Sequence, residues 1–247
     1  MSLGNSSNPV EDKIYICLLS IHGLIRGDNL ELGRDADTGG QTKYVVEVAR
    51  ALADQHGVAQ VDLLSRLVDD PEVSTDYASP TEELRPNAQL IRIEAGPPGY
   101  IAKASLWDHL DAFVDNTINY LQQQDRLPDL LHSHYADAGY VASRVSHILG
   151  IPLIHTGHSL GRVKRRSLLA SGVKAKEIEE LYNMTRRIEA EELTLASAER
   201  VITSTNQEIE DQYELYDYYQ PEQMRVIPPG TDLTRFHPPE GMEWQTE

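Results

Sequence analysis

The chain has 247 residues, 40% hydrophobic and 25% charged, which is enough to bury a sizeable core in one large domain or two small ones. No run approaches the roughly 20 apolar residues of a membrane-spanning helix. With 22 Lys and Arg against 39 Asp and Glu, the net charge of −17 repels nucleic acid and anionic lipid, so any anionic ligand must be held by a local basic cluster.

Residues 1–12, beginning MSLGNSSNPV, lack the basic start and apolar middle of a signal peptide and are expected to form a disordered lead. "KIYICLLS" (13–20) reads as a first strand. Its Cys17 is the only cysteine, so no intrachain disulfide can form, and the residue reads as a small buried hydrophobe in a cytoplasmic protein. An irregular stretch from Ile21 to Thr38 leads into a helix with Val45, Val48, Ala49 and Leu52 on one stripe. "QVDLLSRL" (60–67) and "AQLIRIEA" (88–95) read as strands separated by a polar stretch containing Pro71 and Pro80.

Leu106, Leu110, Phe113, Val114, Ile118 and Leu121 mark a helix that must stop before Pro128. "DLLHSHY" follows as a strand, Ala136 to Leu149 as a helix and "IPLIHTG" as a strand. The charged, periodic segment from Lys174 to about Ala198, with Ile178, Leu181, Ile188 and Leu195 on one side, reads as one long helix. "RVITST", a helix near Asn206 to Leu215 and the short strand "MRVIPPG" complete the order. Strands alternating with helices imply right-handed crossovers and a doubly wound, Rossmann-like α/β domain over residues 13–230. Residues 231–247 then read as the start of an interdomain linker, the chain being half of something larger.

In open parallel sheets a ligand sits beyond the carboxyl ends of the strands. Gly39 and Gly40 open a helix at some cost in its stability. Bare backbone there admits a ligand to the first free N–H groups, whose dipole favours negative charge; a tight turn with a flexible cap is the other reading. Thr38 is a candidate cap, and Gln41 and Lys43 lie in the first turn.

In "HTGHSLGRVKRR", Gly157 and Gly161 bracket His158 and Ser159, and Arg162, Lys164, Arg165 and Arg166 follow. A phosphate bridging the Ser159 hydroxyl and the Lys164 ammonium, with backbone amides completing the cradle, is favoured over an exposed basic helix start. His132, His134, His155 and His158 allow a zinc site, but no HExxH or CxxC spacing supports it. Arg186 and Arg187 either pair with nearby glutamates or reach a bound phosphate.

These stretches carry a resemblance. "LLSIHGLIRGDNLELGRDADTGGQ", "HSHYADAGY", "TGHSLGR", "RRIEAEE" and "VITSTNQEI" followed by "VIPPG" resemble the glucosyltransferase region of plant and cyanobacterial sucrose-phosphate synthases, retaining family 4 glycosyltransferases of the two-domain GT-B fold. The likeness runs from about Lys13 to Pro239; sucrose synthases differ where "TGHSLGR" stands. It implies transfer of glucose from UDP-glucose to fructose 6-phosphate with retention, giving sucrose 6-phosphate and UDP, with no metal and no cofactor.

By that resemblance Gly39 and Gln41 sit against the acceptor sugar and face the donor diphosphate, and Lys103 and Tyr135 contact the acceptor. Ser159 and Lys164 hold its phosphate, joined by Arg186 or Arg187, and His158 with the Gly39 and Gly40 backbone forms the catalytic centre. The donor half, which in this family binds most of the nucleotide, is not expected here because no second α/β array follows Gly230. The chain is therefore expected to be an acceptor-binding domain, inactive alone. The alternatives are a non-catalytic sugar-phosphate-binding regulatory module and a metal-dependent hydrolase built on the four histidines.

Overall fold

The computed structural model describes residues 13–231 together with 233 and 236. The expected lead (1–12) and most of the expected linker (231–247) lie outside the described residues. The strands are β1 (Ile14–Leu19), β2 (Val58–Arg66), β3 (Thr81–Arg85), β4 (Ala88–Ile93), β5 (Leu130–His134), β6 (Leu153–Thr156), β7 (Arg200–Thr203) and β8 (Met224–Val226). They form one sheet in the order β3-β4-β2-β1-β5-β6-β7-β8, with every neighbouring pair parallel except β3 and β4. The helices are α1 (Gly40–Ala53), α2 (Leu110–Gln122), α3 (Ala136–Leu149), α4 (Gly161–Ala170), α5 (Ala175–Tyr182), α6 (Met184–Ser197) and α7 (Asn206–Asp211).

The alternation of β1 divides the core. Cys17 and Leu19 join the cluster under α2, α3 and α6, whereas Ile16 and Leu18 join the one under α1. Apolar residues on both faces are what a fully covered parallel sheet requires. In α1 the buried apolar residues are Val45, Val46, Ala49 and Ala53, with Val48 and Leu52 at the edge, so the stripe is rotated slightly from the expected one. Burying each valine contributes about 1.5–3 kcal/mol, more than the roughly 0.5–1 kcal/mol a helical glycine costs, so the glycine start does not prevent the helix.

Three expectations need correction. The polar stretch before β4 contains β3, an edge strand antiparallel to β4 that buries only Leu84 and so gives no alternating signal. The long helix is two, α5 and α6, broken at Asn183, whose left-handed backbone (φ 45°, ψ 47°) suits asparagine. The Asn183 side-chain amide donates to the Ala104 carbonyl at 2.6 Å, and Leu181, expected on the buried stripe, is 54% exposed. The helix from Asn206 ends at Asp211, with a separate 3-10 turn over Tyr213–Leu215.

The chain builds β1, β2 and β4 to one side and then returns to place β5 on the other side of β1. That reversal puts a crevice between the carboxyl ends of β1 and β5, where open α/β sheets receive ligands.

Candidate functional site

The loop after β1 forms one wall. Asp35 Oδ1 accepts from the backbone N–H groups of Asp37 and Thr38, both at 2.8 Å, and Thr38 Oγ1 accepts from Leu24 N at 3.1 Å. Thr38 therefore braces the loop and does not cap α1. Gly39 is the N-cap, in extended backbone, with no side-chain cap bond. Added Cβ atoms on Gly39 and Gly40 would meet nothing within 4 Å. Neither backbone angle nor packing demands glycine at these two positions. Among the described residues, the Gly40 and Gln41 amides have no hydrogen-bond partner, and no acidic residue occupies the first turn.

The second glycine-flanked helix start, at α4, is different. A Cβ on Gly157 would lie 2.5 Å from Tyr213 Oη, and one on Gly161 would lie 2.7 Å from Glu191 Oε2. Gly161 N donates to Glu191 at 3.0 Å and Arg162 N to Tyr216 Oη at 3.1 Å. These two amides are spent within the protein, so the Gly161 and Arg162 backbone is not free to complete the expected phosphate cradle. Holding an anion at this end of the crevice then calls on side chains.

Such side chains are present. Lys103, Lys164 and Arg187 line one small cleft with Tyr135, Trp107 and Tyr182. The Arg187 guanidinium lies 4.7 Å from the Tyr135 ring centroid and Lys103 Nζ 5.9 Å from it, while Lys164 Nζ stands 3.7 Å over the Tyr182 ring. Lys103 pairs with Asp37 at 2.8 Å and Arg187 with Glu191 at 3.0 Å; Lys164 has no carboxylate partner among the described residues. Burial, then the Arg187 and Lys103 charges, lower the Lys164 ammonium from its ordinary value, with Asp37 acting the other way. Three converging cations, one of them unpaired, complement a doubly charged phosphate monoester.

Buried bonds orient these cations. Glu191 accepts from Arg187, Gly161 N and Tyr216 Oη, and Arg187 Nη2 donates to the Ser159 carbonyl at 2.7 Å and to Ser159 Oγ at 3.3 Å. Ser159 thus belongs to the cluster through Arg187. Of the two arginines left open by the sequence, only Arg187 joins it. Arg186 points away, bonding Asp108 at 2.5 Å and the Trp107 carbonyl at 3.0 Å in the open. Asp37 also accepts from Lys103 N at 2.8 Å. Burial pushes its carboxyl up, but the bonds to Lys103 outweigh this and hold it below the usual range.

Tyr135, the N-cap of α3, has φ 78° and ψ 169°, a region nearly confined to glycine, and His158 has φ 56°. Two strained non-glycine residues thus face one crevice. His158 opens onto a cleft of about 210 Å³ lined by Gly40, Gln41, Tyr44, Thr156, Ser204, Glu208 and Gln212 among others. Gln41 Nε2 donates to Ser20 Oγ at 3.2 Å and to the His134 carbonyl at 3.4 Å. Sequence reasoning missed His22, buried with Nδ1 2.7 Å from Asp137 and its ring 4.6 Å from that of Tyr135. The signal for it was a histidine just past the β1 terminus.

Three of the four histidines gather, with His134 Nδ1 3.0 Å from His158 Nε2 and His132 against the His134 ring, while His155 stands apart. His132 and His134 stack at 4.2 Å on the side of Tyr44 and α1, whereas His155 bonds Ser133 and reaches toward Gly139 of α3. Burial pulls His132 and His155 down to about 3 and His134 well below its ordinary value. Desolvation against the cleft walls, then the nearby His22, pulls His158 down to about 4, so its imidazole is neutral at pH 7. Among the described residues no group of three or more His, Cys, Asp or Glu is disposed to hold a metal ion. No described helix is long and apolar enough to cross a membrane.

Comparison with known proteins places this geometry. The chain is 45% identical to a protein named probable sucrose-phosphate synthase of Solanum tuberosum, over 95% of this chain and 27% of that protein. It is 43% identical to the one of Beta vulgaris, over 98% of this chain and 28% of that protein. The chain thus spans about a quarter of the length of the curated relatives it matches. Its structure superposes on the sucrose-phosphate synthase of Thermosynechococcus elongatus with a TM-score of 0.73 and 30% identity, covering 92% of this chain and 50% of that one. The fold is thus the Rossmann-like half of a GT-B glycosyltransferase. Residues 38–235 match the model for Glycosyltransferase Family 4, and the chain belongs to that family.

Proposed function

We propose that this chain is the acceptor-binding domain of a sucrose-phosphate synthase, which transfers glucose from UDP-glucose to fructose 6-phosphate with retention and yields sucrose 6-phosphate and UDP. The observation that carries this reading is the convergence of Lys103, Lys164 and Arg187 on one cleft beside Tyr135, in a chain of net charge −17. Identity of 43–45% to proteins bearing that name supports the choice of reaction.

In this reading the three cations and Ser159 hold the acceptor phosphate and Tyr135 packs on the hexose. The bare Gly39 and Gly40 backbone, with Gln41, borders acceptor and donor. His158 stands at the transferred glucose, which occupies the uncharged part of the neighbouring cleft. The Gly40 and Gln41 amides and the α1 dipole stabilise negative charge developing on the departing diphosphate. No covalent sugar–protein intermediate is invoked: among the described residues Glu208 is the one carboxylate lining the His158 cleft, and its Oε2 is engaged by Ser204 N at 2.8 Å. The donor nucleotide is held mainly by the second half of a GT-B enzyme, so this chain alone binds acceptor and turns over little or none. The setting is the cytoplasm.

A calorimetric screen of fructose 6-phosphate, glucose 6-phosphate, inorganic phosphate and fructose tests the reading. Fructose 6-phosphate is expected to bind tightest and fructose weakest. Equal affinity for fructose and its phosphate ester would remove the basis of the proposal.

A further inference from the structure

His134 of β5 is fully buried, with Nδ1 3.0 Å from Nε2 of His158. Its other ring nitrogen, Nε2, is buried and has no hydrogen-bond partner. The ring is boxed in by His132, with centroids 4.2 Å apart, and by the edge of Tyr44, with centroids 5.9 Å apart. Both imidazoles are neutral at pH 7, so one proton lies between the pair and one of the two nitrogens must donate.

The orphaned nitrogen decides which. A proton on His134 Nε2 would bury an N–H with no acceptor, the costlier kind of unmet group, and would force His158 to donate from Nε2. A proton on His134 Nδ1 leaves only an unused lone pair on the buried Nε2 and makes His134 the donor. We propose that His134 is a positioning residue: its Nδ1–H donates to His158 Nε2 and so fixes neutral His158 with its proton on Nδ1.

His158 Nδ1 has no partner among the described residues, and the residue is exposed to the cleft. The protein therefore presents an N–H donor to whatever occupies that space. Such a group suits a sugar hydroxyl or a phosphate oxygen and cannot take a proton, so His158 binds and orients and is not a base. The identity of the occupant rests on the function proposed above. The tautomer does not.

The test is long-range proton–nitrogen correlation on the chain carrying ¹⁵N-labelled histidine at pH 7.5, with His158 signals assigned by their loss in His158→Gln. The unliganded wild type is expected to show protonated Nδ1 and unprotonated Nε2 for His158. In His134→Phe, which keeps a ring but no donor, His158 Nε2 is expected to move to the protonated range, the form usual in water. In His134→Asn, whose amide nitrogen falls near the place of Nδ1, the wild-type pattern is expected to return. A protonated Nε2 on His158 in the wild type would overturn the proposal, as would an unchanged pattern in His134→Phe. The wild-type spectrum decides even if a variant fails to fold. Failure of fructose 6-phosphate to bind would bear on the proposed function and leave this result standing.

Discussion

Two helix starts flanked by glycine face the same crevice, and they are built for opposite reasons. At α1 the glycines are required by nothing among the described residues: Cβ atoms on Gly39 and Gly40 would project into open space there, and the adjoining amides have no partner among those residues. At α4, Tyr213 stands against Gly157 and Glu191 against Gly161, whose amide is already used. The first start leaves room for a ligand, and the second lets a buried carboxylate come close enough to steer Arg187. A glycine next to a site is thus evidence of contact only when the protein has no use for the missing side chain.

The comparison breaks most visibly on the α4 side. Arg187→Ala strands the buried Glu191 carboxylate and is expected to cost about 3 kcal/mol, lowering Tm by roughly 6–12 °C in thermal unfolding. Gly161→Ala pushes a methyl group against Glu191 Oε2 and is expected to cost about 1–3 kcal/mol while also weakening fructose 6-phosphate. A Tm within a degree of wild type for either variant would contradict the account of α4.

Asp37 joins the two walls through Lys103. Its folded pKa is depressed, so its contribution is complete above the unfolded value of about 3.9 and is lost as pH falls through the lower folded value. Asp37→Asn is therefore expected to be less stable than wild type by about 1–3 kcal/mol at neutral pH, with the gap closing below about pH 4. A gap of constant size down to acid pH would remove Asp37 as the anchor.

The smallest effect on stability belongs to α1. Gly40→Ala improves helix propensity and is expected to leave Tm unchanged or to stabilise by up to about 1 kcal/mol. Affinity for the acceptor is expected to fall severalfold, because the new methyl group occupies ligand space. Unchanged affinity would mean that the open space above Gly40 is not used.

Much of the fold was legible because parallel strands write continuous apolar runs and their helices write stripes, as at "KIYICLLS" and Ala136 to Leu149. β3 was not, since an edge strand that buries one residue leaves almost no pattern. Nor was the break at Asn183, because a left-handed residue inside a charged periodic segment changes no periodicity until the chain is folded. In the site, local reading found Ser159 and Lys164 but could not choose between Arg186 and Arg187, which are neighbours in sequence and point in different directions. His22 with Asp137 and the Glu191 network join residues far apart in the chain, and no local spacing encodes them.

The central claim is that the ester phosphate of the acceptor is held by the cations gathered around Tyr135. Lys164 tests it best, having no carboxylate partner among the described residues and no bond the fold depends on. Calorimetry of fructose 6-phosphate and fructose against wild type and Lys164→Ala is the direct measurement. The account predicts that wild type favours the phosphate ester by at least about tenfold, and that Lys164→Ala loses most of that margin with Tm unchanged. Equal affinity of wild type and Lys164→Ala for fructose 6-phosphate would contradict it.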